Sequence, residues 1–179
     1  MFVEALEDRR LYAATAKFVT QMLGASEVPA RTTPARGTAR FTMSRDGTEL
    51  RYQLKANRIV NVVGAHIHLA PAGENGAIVA DLMDPAGMRE RRRGVTMRGS
   101  IVASELAGPL AGMTLADLVT RMTEGATYVN VHTNDGAEPA DTGPGDFPGG
   151  EIRGQVRRIG RFNTTNPILN PTPDPTPGY

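Results

Sequence analysis

The sequence predicts an antiparallel β-sandwich or barrel with one short helix. Three observations carry that prediction. Short runs alternate apolar and polar residues at the period of two that a strand imposes. Glycine- and proline-rich turns separate those runs. One stretch alone, late in the chain, switches to sustained helical spacing, and many short strands with a single late helix belong to the all-β class.

The elements follow in order. Residues 1–14 read as an N-terminal arm, either a frayed terminus or a short docking helix with Phe2 and Leu6 on one face. Residues 16–23 read as a first strand, ended by Gly24. Thr38 to Arg45 alternates, with Ala39, Phe41 and Met43 on one face, and Asp46-Gly47 reads as a tight hairpin turn. Leu50, Tyr52 and Leu54 alternate on the return strand. Ile59 to Val63 is an apolar run leading into Gly64-Ala65-His66-Ile67-His68. After the Asn75-Gly76 turn, residues 77–83 and 95–103 read as strands. Asp84 to Arg93 between them, with the basic run Arg89-Glu90-Arg91-Arg92-Arg93, reads as a solvated loop. Thr114 can cap a helix with Asp117 three residues on. Leu115, Leu118, Val119 and Met122 form its apolar stripe, and Gly125 stops it. Strands over 128–133 and 151–159 follow. The domain therefore spans residues 15–162. The tail, 163–179, carries five prolines and reads as an extended, polyproline-II-like segment.

Composition narrows the function classes. The 179 residues carry 20 basic and 19 acidic side chains, a net charge of +1 that gives no general drive toward nucleic acid. No apolar run approaches the roughly 20 residues that span a bilayer. The chain has no cysteine, which excludes disulfides, thiolate metal sites and cysteine nucleophiles. There is no nucleophile elbow, phosphate loop or dinucleotide fingerprint. The charged N-terminus lacks the apolar core of a signal peptide, so either the protein stays inside or the chain begins after processing.

The chemistry concentrates in three strands. Residues i and i+2 of a strand share a face. His66 and His68 therefore point one way with Ile67 opposite. Tyr128, Asn130 and His132 point one way with Val129 and Val131 opposite. Glu151, Arg153 and Gln155 share a face opposite Ile152 and Val156. The chain has three histidines in all, and this alternation gathers them in one polar cluster. Three imidazoles that converge can hold copper or zinc with an open position. The competing expectation is a hydrogen-bonded polar layer in which the histidines pair with Asn130, Glu151 and Arg153 and no cofactor is required. Glu151 beside Arg153 reads as a cross-strand ion pair. Asp135, Asp141 and Asp146 lack the spacing of a calcium loop and read as solvated surface.

Five motifs occur in order: Gly24-Ala25-Ser26-Glu27-Val28-Pro29, Gly64-Ala65-His66-Ile67-His68, Gly108-Pro109-Leu110-Ala111-Gly112-Met113, Tyr128-Val129-Asn130-Val131-His132-Thr133 and Gly150-Glu151-Ile152-Arg153-Gly154-Gln155. Together they resemble a chordin-type (CHRD) domain over roughly residues 15–160, in a single-domain, bacterial-like form. The resemblance implies an immunoglobulin-like or Greek-key β-sandwich in a mostly extracytoplasmic family with no established catalytic activity. It departs from the family at Asn134 to Gly149, a segment usually short there. The expected function is accordingly a non-enzymatic, periplasmic or extracellular protein–protein interaction module. It would stabilise a larger assembly of other protein subunits, peripheral to a membrane complex or on a cell surface. The alternative is a metal-binding, oxidoreductase-like domain that uses the three histidines.

The tail is expected to dock on a partner through the apolar anchors Ile168, Leu169 and Tyr179; the alternative is a disordered tail or a simple spacer. A proline-stiffened segment loses less entropy on docking than a flexible one. A chain truncated after Arg161 should melt like the full-length protein and lose retention in its native complex. Full retention, or a collapse in melting temperature, would remove the docking role.

Overall fold

A computed structural model describes residues 16–84 and 86–160. The N-terminal arm, the tail and its anchors Ile168, Leu169 and Tyr179 lie outside the described residues.

Among the described residues, ten strands and one α-helix form the fold. In chain order they are β1 (Lys17–Leu23), β2 (Arg36–Met43), β3 (Leu50–Asn57), β4 (Val62–Leu69), β5 (Ala77–Asp81), β6 (Arg89–Arg91), β7 (Gly94–Ile101), α1 (Leu115–Thr123), β8 (Thr127–Thr133), β9 (Ile152–Gln155) and β10 (Arg157–Ile159). Every pairing between them is antiparallel. The hydrogen-bonded order is β5-β4-β8-β9-β1-β2-β3-β7-β6, with β10 also paired to β1. The class is therefore the expected one, mostly β with one short helix.

The layering differs from the expected sandwich. The strands make one continuous sheet rather than two hydrogen-bonded sheets packed face to face. That sheet must curl, because one face of nearly every strand feeds a single core. Val79 and Ala80, Ala65 and Ile67, Val129 and Val131, Phe18 and Met22, and Leu50 and Leu54 all join it. The curl brings distant strands together: the Tyr52 hydroxyl on β3 donates to the Leu82 carbonyl just after β5 at 3.0 Å. A half-barrel of this kind buries one face without needing a second sheet.

The helix plugs the curl. Leu115, Leu118, Val119 and Met122 are buried. Thr114 Oγ1 accepts from the Asp117 amide at 3.3 Å, and Asp117 Oδ2 accepts from the Thr114 amide at 3.0 Å. This reciprocal cap satisfies two N–H groups that the first turn leaves orphaned.

Two segments depart from the sequence reading. Arg89–Arg91, inside the expected solvated loop, is the short edge strand β6 on β7. Its pairing comes from the exposed edge of β7, a tertiary template that a run of charges does not announce. The apolar run from Ile59 begins outside the sheet: Arg58 and Asn61 take positive φ, and the strand starts at Val62. Ile59 is buried, whereas Val60 and Val63 are exposed.

The face assignments hold. Phe41, Leu50, Tyr52, Leu54, Ile67, Val129, Val131 and Ile152 are all buried. Truncating Val131 or Ile152 to Ala should cost about 1–3 kcal/mol through lost burial and the cavity left behind. Denaturant unfolding measures it, and parental stability in both variants would mean that the opposite face is the buried one.

Candidate metal centre

The register of β4, β8 and β9 builds the site. His66 lies opposite Asn130 and His68 opposite Tyr128, while Asn130 lies opposite Arg153 and Tyr128 opposite Gln155. One donor nitrogen from each of His66, His68 and His132 lies within 4.8 Å of the others. The cluster expected from the sequence is therefore formed, with His68 buried and His66 and His132 half-buried.

Hydrogen bonds fix which nitrogen faces inward. His68 Nδ1 lies 2.8 Å from the Gly76 carbonyl, and His132 Nδ1 lies 2.8 Å from the Pro148 carbonyl. A carbonyl only accepts, so each neutral ring carries its proton on Nδ1 and keeps a lone pair on Nε2. His132 Nε2 is 3.0 Å from His66 Nδ1, the contact in which His66 donates. His68 Nε2 is buried and has no hydrogen-bond partner that meets standard geometry. A ring pinned through one nitrogen and bare at the other is the arrangement of a metal-ligating histidine.

Electrostatics keep all three rings neutral. Burial, then the His132 ring, holds His66 down to about 4 from an ordinary 6.5, against the opposing pull of Asp81 across the strand. Burial is also the first cause lowering His68 and His132. Neutral imidazole is the ligating form.

Packing fixes the surroundings. The Tyr128 ring stacks on His68, with centroids 4.7 Å apart and planes 9° apart. From the β9 side the Arg153 guanidinium lies 3.4 Å from the Tyr128 ring centre. A Cβ at Gly64 would stand 3.1 Å from His66 Cε1 and 3.6 Å from His132 Cδ2, so glycine leaves the two rings their room.

The supporting residues take roles other than those expected. Glu151 and Arg153 are buried but form no ion pair with each other. Glu151 accepts from the Thr33 and Thr133 hydroxyls at 2.5 and 2.7 Å and from the Gly145 amide at 2.9 Å. Arg153 donates to Asn75 Oδ1 at 3.0 Å and to the Pro71 and Glu74 carbonyls at 3.3 and 2.6 Å. Each side chain has its hydrogen-bonding capacity filled by a different part of the chain. Gln155 donates to the Ala70 and Gly125 carbonyls at 2.9 and 2.7 Å. Of the polar layer expected to pair with the histidines, Asn130 favours charge on His68 and the Arg153 charge opposes it.

Asp135 and Asp141 lie exposed on the 134–149 loop as expected, whereas Asp146 is buried. Asp141 pairs with Arg31 at 3.1 Å, and buried Asp146 accepts from Thr142 N and Oγ1 at 3.0 and 2.8 Å. Asp135 accepts from the Ala137 amide at 2.9 Å. The three carboxylates thus face separate partners and make no calcium cage. Sequence reasoning missed Gly76 and Pro148, whose carbonyls carry no side-chain signal, and Glu27. Glu27 is buried with Oε1 unpartnered, though its motif had been noted.

The family model of the CHRD domain matches residues 18–140, more than half of the chain. The match ends inside the 134–149 loop, so β9 and β10 lie beyond it. No curated protein matches the chain in sequence.

Glu27 gives the site's surroundings a readable pH dependence. Burial pushes its carboxyl from 4.5 up to about 7, against the lowering influence of Arg153, Arg31 and the Val28 amide. A carboxyl raised on folding stabilises fully below its unfolded value and loses that contribution as pH rises through the folded one. His66 runs the other way, with its stability lost as pH falls from 6.5 toward 4. Glu27→Gln removes the first effect alone. Its stability relative to the parent should therefore rise between pH 4.5 and 7, by at most about 3 kcal/mol, and stay level above. Chemical unfolding across that range tests it, and a difference independent of pH would contradict it.

Proposed function

The chain belongs to the CHRD family, and we propose that it is a metal-binding module holding one copper or zinc ion on His66, His68 and His132. The observation that carries this reading is the convergence of three neutral imidazoles, two of them pinned by backbone carbonyls through Nδ1. Two nitrogens at the usual 2.0–2.1 Å from zinc stand roughly 3 to 3.5 Å apart. The His66–His132 pair, at 3.0 Å, already meets this spacing. A ring movement of roughly an ångström brings the widest pair into it. Imidazole suits both metals, and copper binds more tightly to a given nitrogen site. His66 gives up its hydrogen bond to His132 by moving its proton to Nε2. Three ligands leave one position for water or for a donor from a partner.

A second proposal is compatible with the first: the domain works by protein–protein contact outside the cytoplasm. The exposed Val60 and Val63 at the entry to β4 and the proline-rich tail support it. No helix among the described residues is long and apolar enough to cross a membrane.

Calorimetric titration of untagged protein with zinc or copper should give one site per chain and a raised melting temperature that a chelator reverses. His66→Gln and His132→Gln should each weaken binding by about a hundredfold or more. Absence of binding, or binding indifferent to His66→Gln, would overturn the metal reading.

A further inference from the structure

We propose that the outer face of β3, β7 and β6, remote in the sheet order from the histidine strands, binds a phosphate group between Lys55, Arg89 and Arg98. A cavity of about 340 Å³ opens there, lined by Lys55, Ala86, Gly87, Arg89, Thr96 and Arg98. The cross-strand register places the cations together. Lys55 lies opposite Thr96, and Thr96 lies opposite Arg89 on the next strand. Arg98 is two residues along β7, diagonal to Lys55.

Like charges on adjacent strands repel, and a sheet normally intersperses carboxylates among them. Here none intervenes. The ion pairs among the described residues join Arg31 to Asp141, Arg51 to Glu49 and Arg121 to Glu124, and use none of the three cavity cations. Two acids close in sequence to the cavity residues, Asp84 and Glu90, are engaged or turned away. Asp84 Oδ1 accepts from the Ala86 amide at 2.8 Å. Glu90 alternates to the opposite side of β6 from Arg89 and lines a separate depression with Arg92.

The arginines are held in place. With its carboxamide oxygen turned to Arg98, Gln53 accepts from Arg98 Nε and Nη2 at 2.6 and 2.7 Å, so that Nη1 takes no part in this contact. Arg89 Nη1 donates to the Ala86 and Met88 carbonyls at 3.3 and 2.9 Å. The wall behind them is close-fitted, since a Cβ at Gly87 would stand 1.8 Å from the Arg98 carbonyl oxygen. Two fixed guanidinium groups, one ammonium and the Thr96 hydroxyl supply more positive charge than a carboxylate needs. They match a phosphate, whose oxygens accept from several donors and whose charge exceeds one. Such a group comes either free in solution, as phosphate or a phosphate ester, or as the headgroup of an anionic lipid.

The test uses the full chain in two arms. Inorganic phosphate is titrated into isotopically labelled protein while amide resonances are followed. Separately, the protein is sedimented with phosphatidylcholine vesicles with and without phosphatidic acid. Saturable shifts confined to Lys55, Gly87, Thr96 and Arg98 identify free phosphate as sufficient. Sedimentation with only the acidic vesicles identifies the headgroup. In whichever arm binds, Lys55→Glu and Arg98→Glu should each weaken it by about tenfold or more. Lys17→Glu, the same charge change on β1, should leave it intact. No saturation in either arm, or equal effects of Lys17→Glu and Lys55→Glu, would overturn the proposal.

Discussion

Two buried charges, Glu151 just before β9 and Arg153 within it, must be satisfied, and the candidate metal centre depends on how they are. Burying a carboxylate or a guanidinium is tolerable only when its hydrogen-bonding capacity is filled. Glu151 fills its capacity from Thr33, from Thr133 and from the Gly145 amide, and the Thr133 hydroxyl in turn accepts from the Phe147 amide at 3.0 Å. The loop end at 145–148 is thereby clamped to β8, where the Pro148 carbonyl meets His132. Arg153 fills its capacity from the turn after β4, through Pro71, Glu74 and Asn75. That turn carries the Gly76 carbonyl that meets His68. Two residues next but one in sequence thus set both carbonyls that orient the imidazoles, although neither is a histidine.

The same constraint explains why the site sits at β4 and β8 on a curled sheet. The inward faces of these strands join a core that reaches from β5 to β7, so their outward faces cannot rotate without breaking it. The rings are held by backbone carbonyls that rigid turns present. Tyr128 reinforces the turn after β4: its ring contacts both His68 and Arg153, and its hydroxyl accepts from the Gly76 amide at 3.3 Å. Metal binding on such a scaffold loses little conformational freedom, the usual condition for a tight site.

Much of this was legible in the sequence because strand alternation is a local property. The His-x-His pair, the Tyr-x-Asn-x-His run and the Glu-x-Arg-x-Gln run each declare a polar face, and the motif order brings them together. The core residues followed from the same period. What escaped was non-local. Nothing in Glu151 and Arg153 reveals that each side chain turns to a different loop. Carbonyls such as those of Gly76 and Pro148 have no residue signature. The edge strand β6 looked like a solvated run because its pairing depends on β7. Closure into one curled sheet rather than a sandwich depends on contacts such as Tyr52 with Leu82, thirty residues apart.

Glu151 and Arg153 position the carbonyls that hold His68 and His132 as neutral, Nδ1-protonated rings whose Nε2 lone pairs converge with His66. Imidazole nitrogen spectroscopy of uniformly ¹⁵N-labelled protein at neutral pH reads this directly. The account predicts Nδ1–H tautomers for His68 and His132, unprotonated Nε2 in both, and a shift of those two resonances together with a His66 nitrogen when zinc is added. Protonated imidazolium rings at neutral pH, or Nε2–H tautomers in His68 and His132, would contradict it.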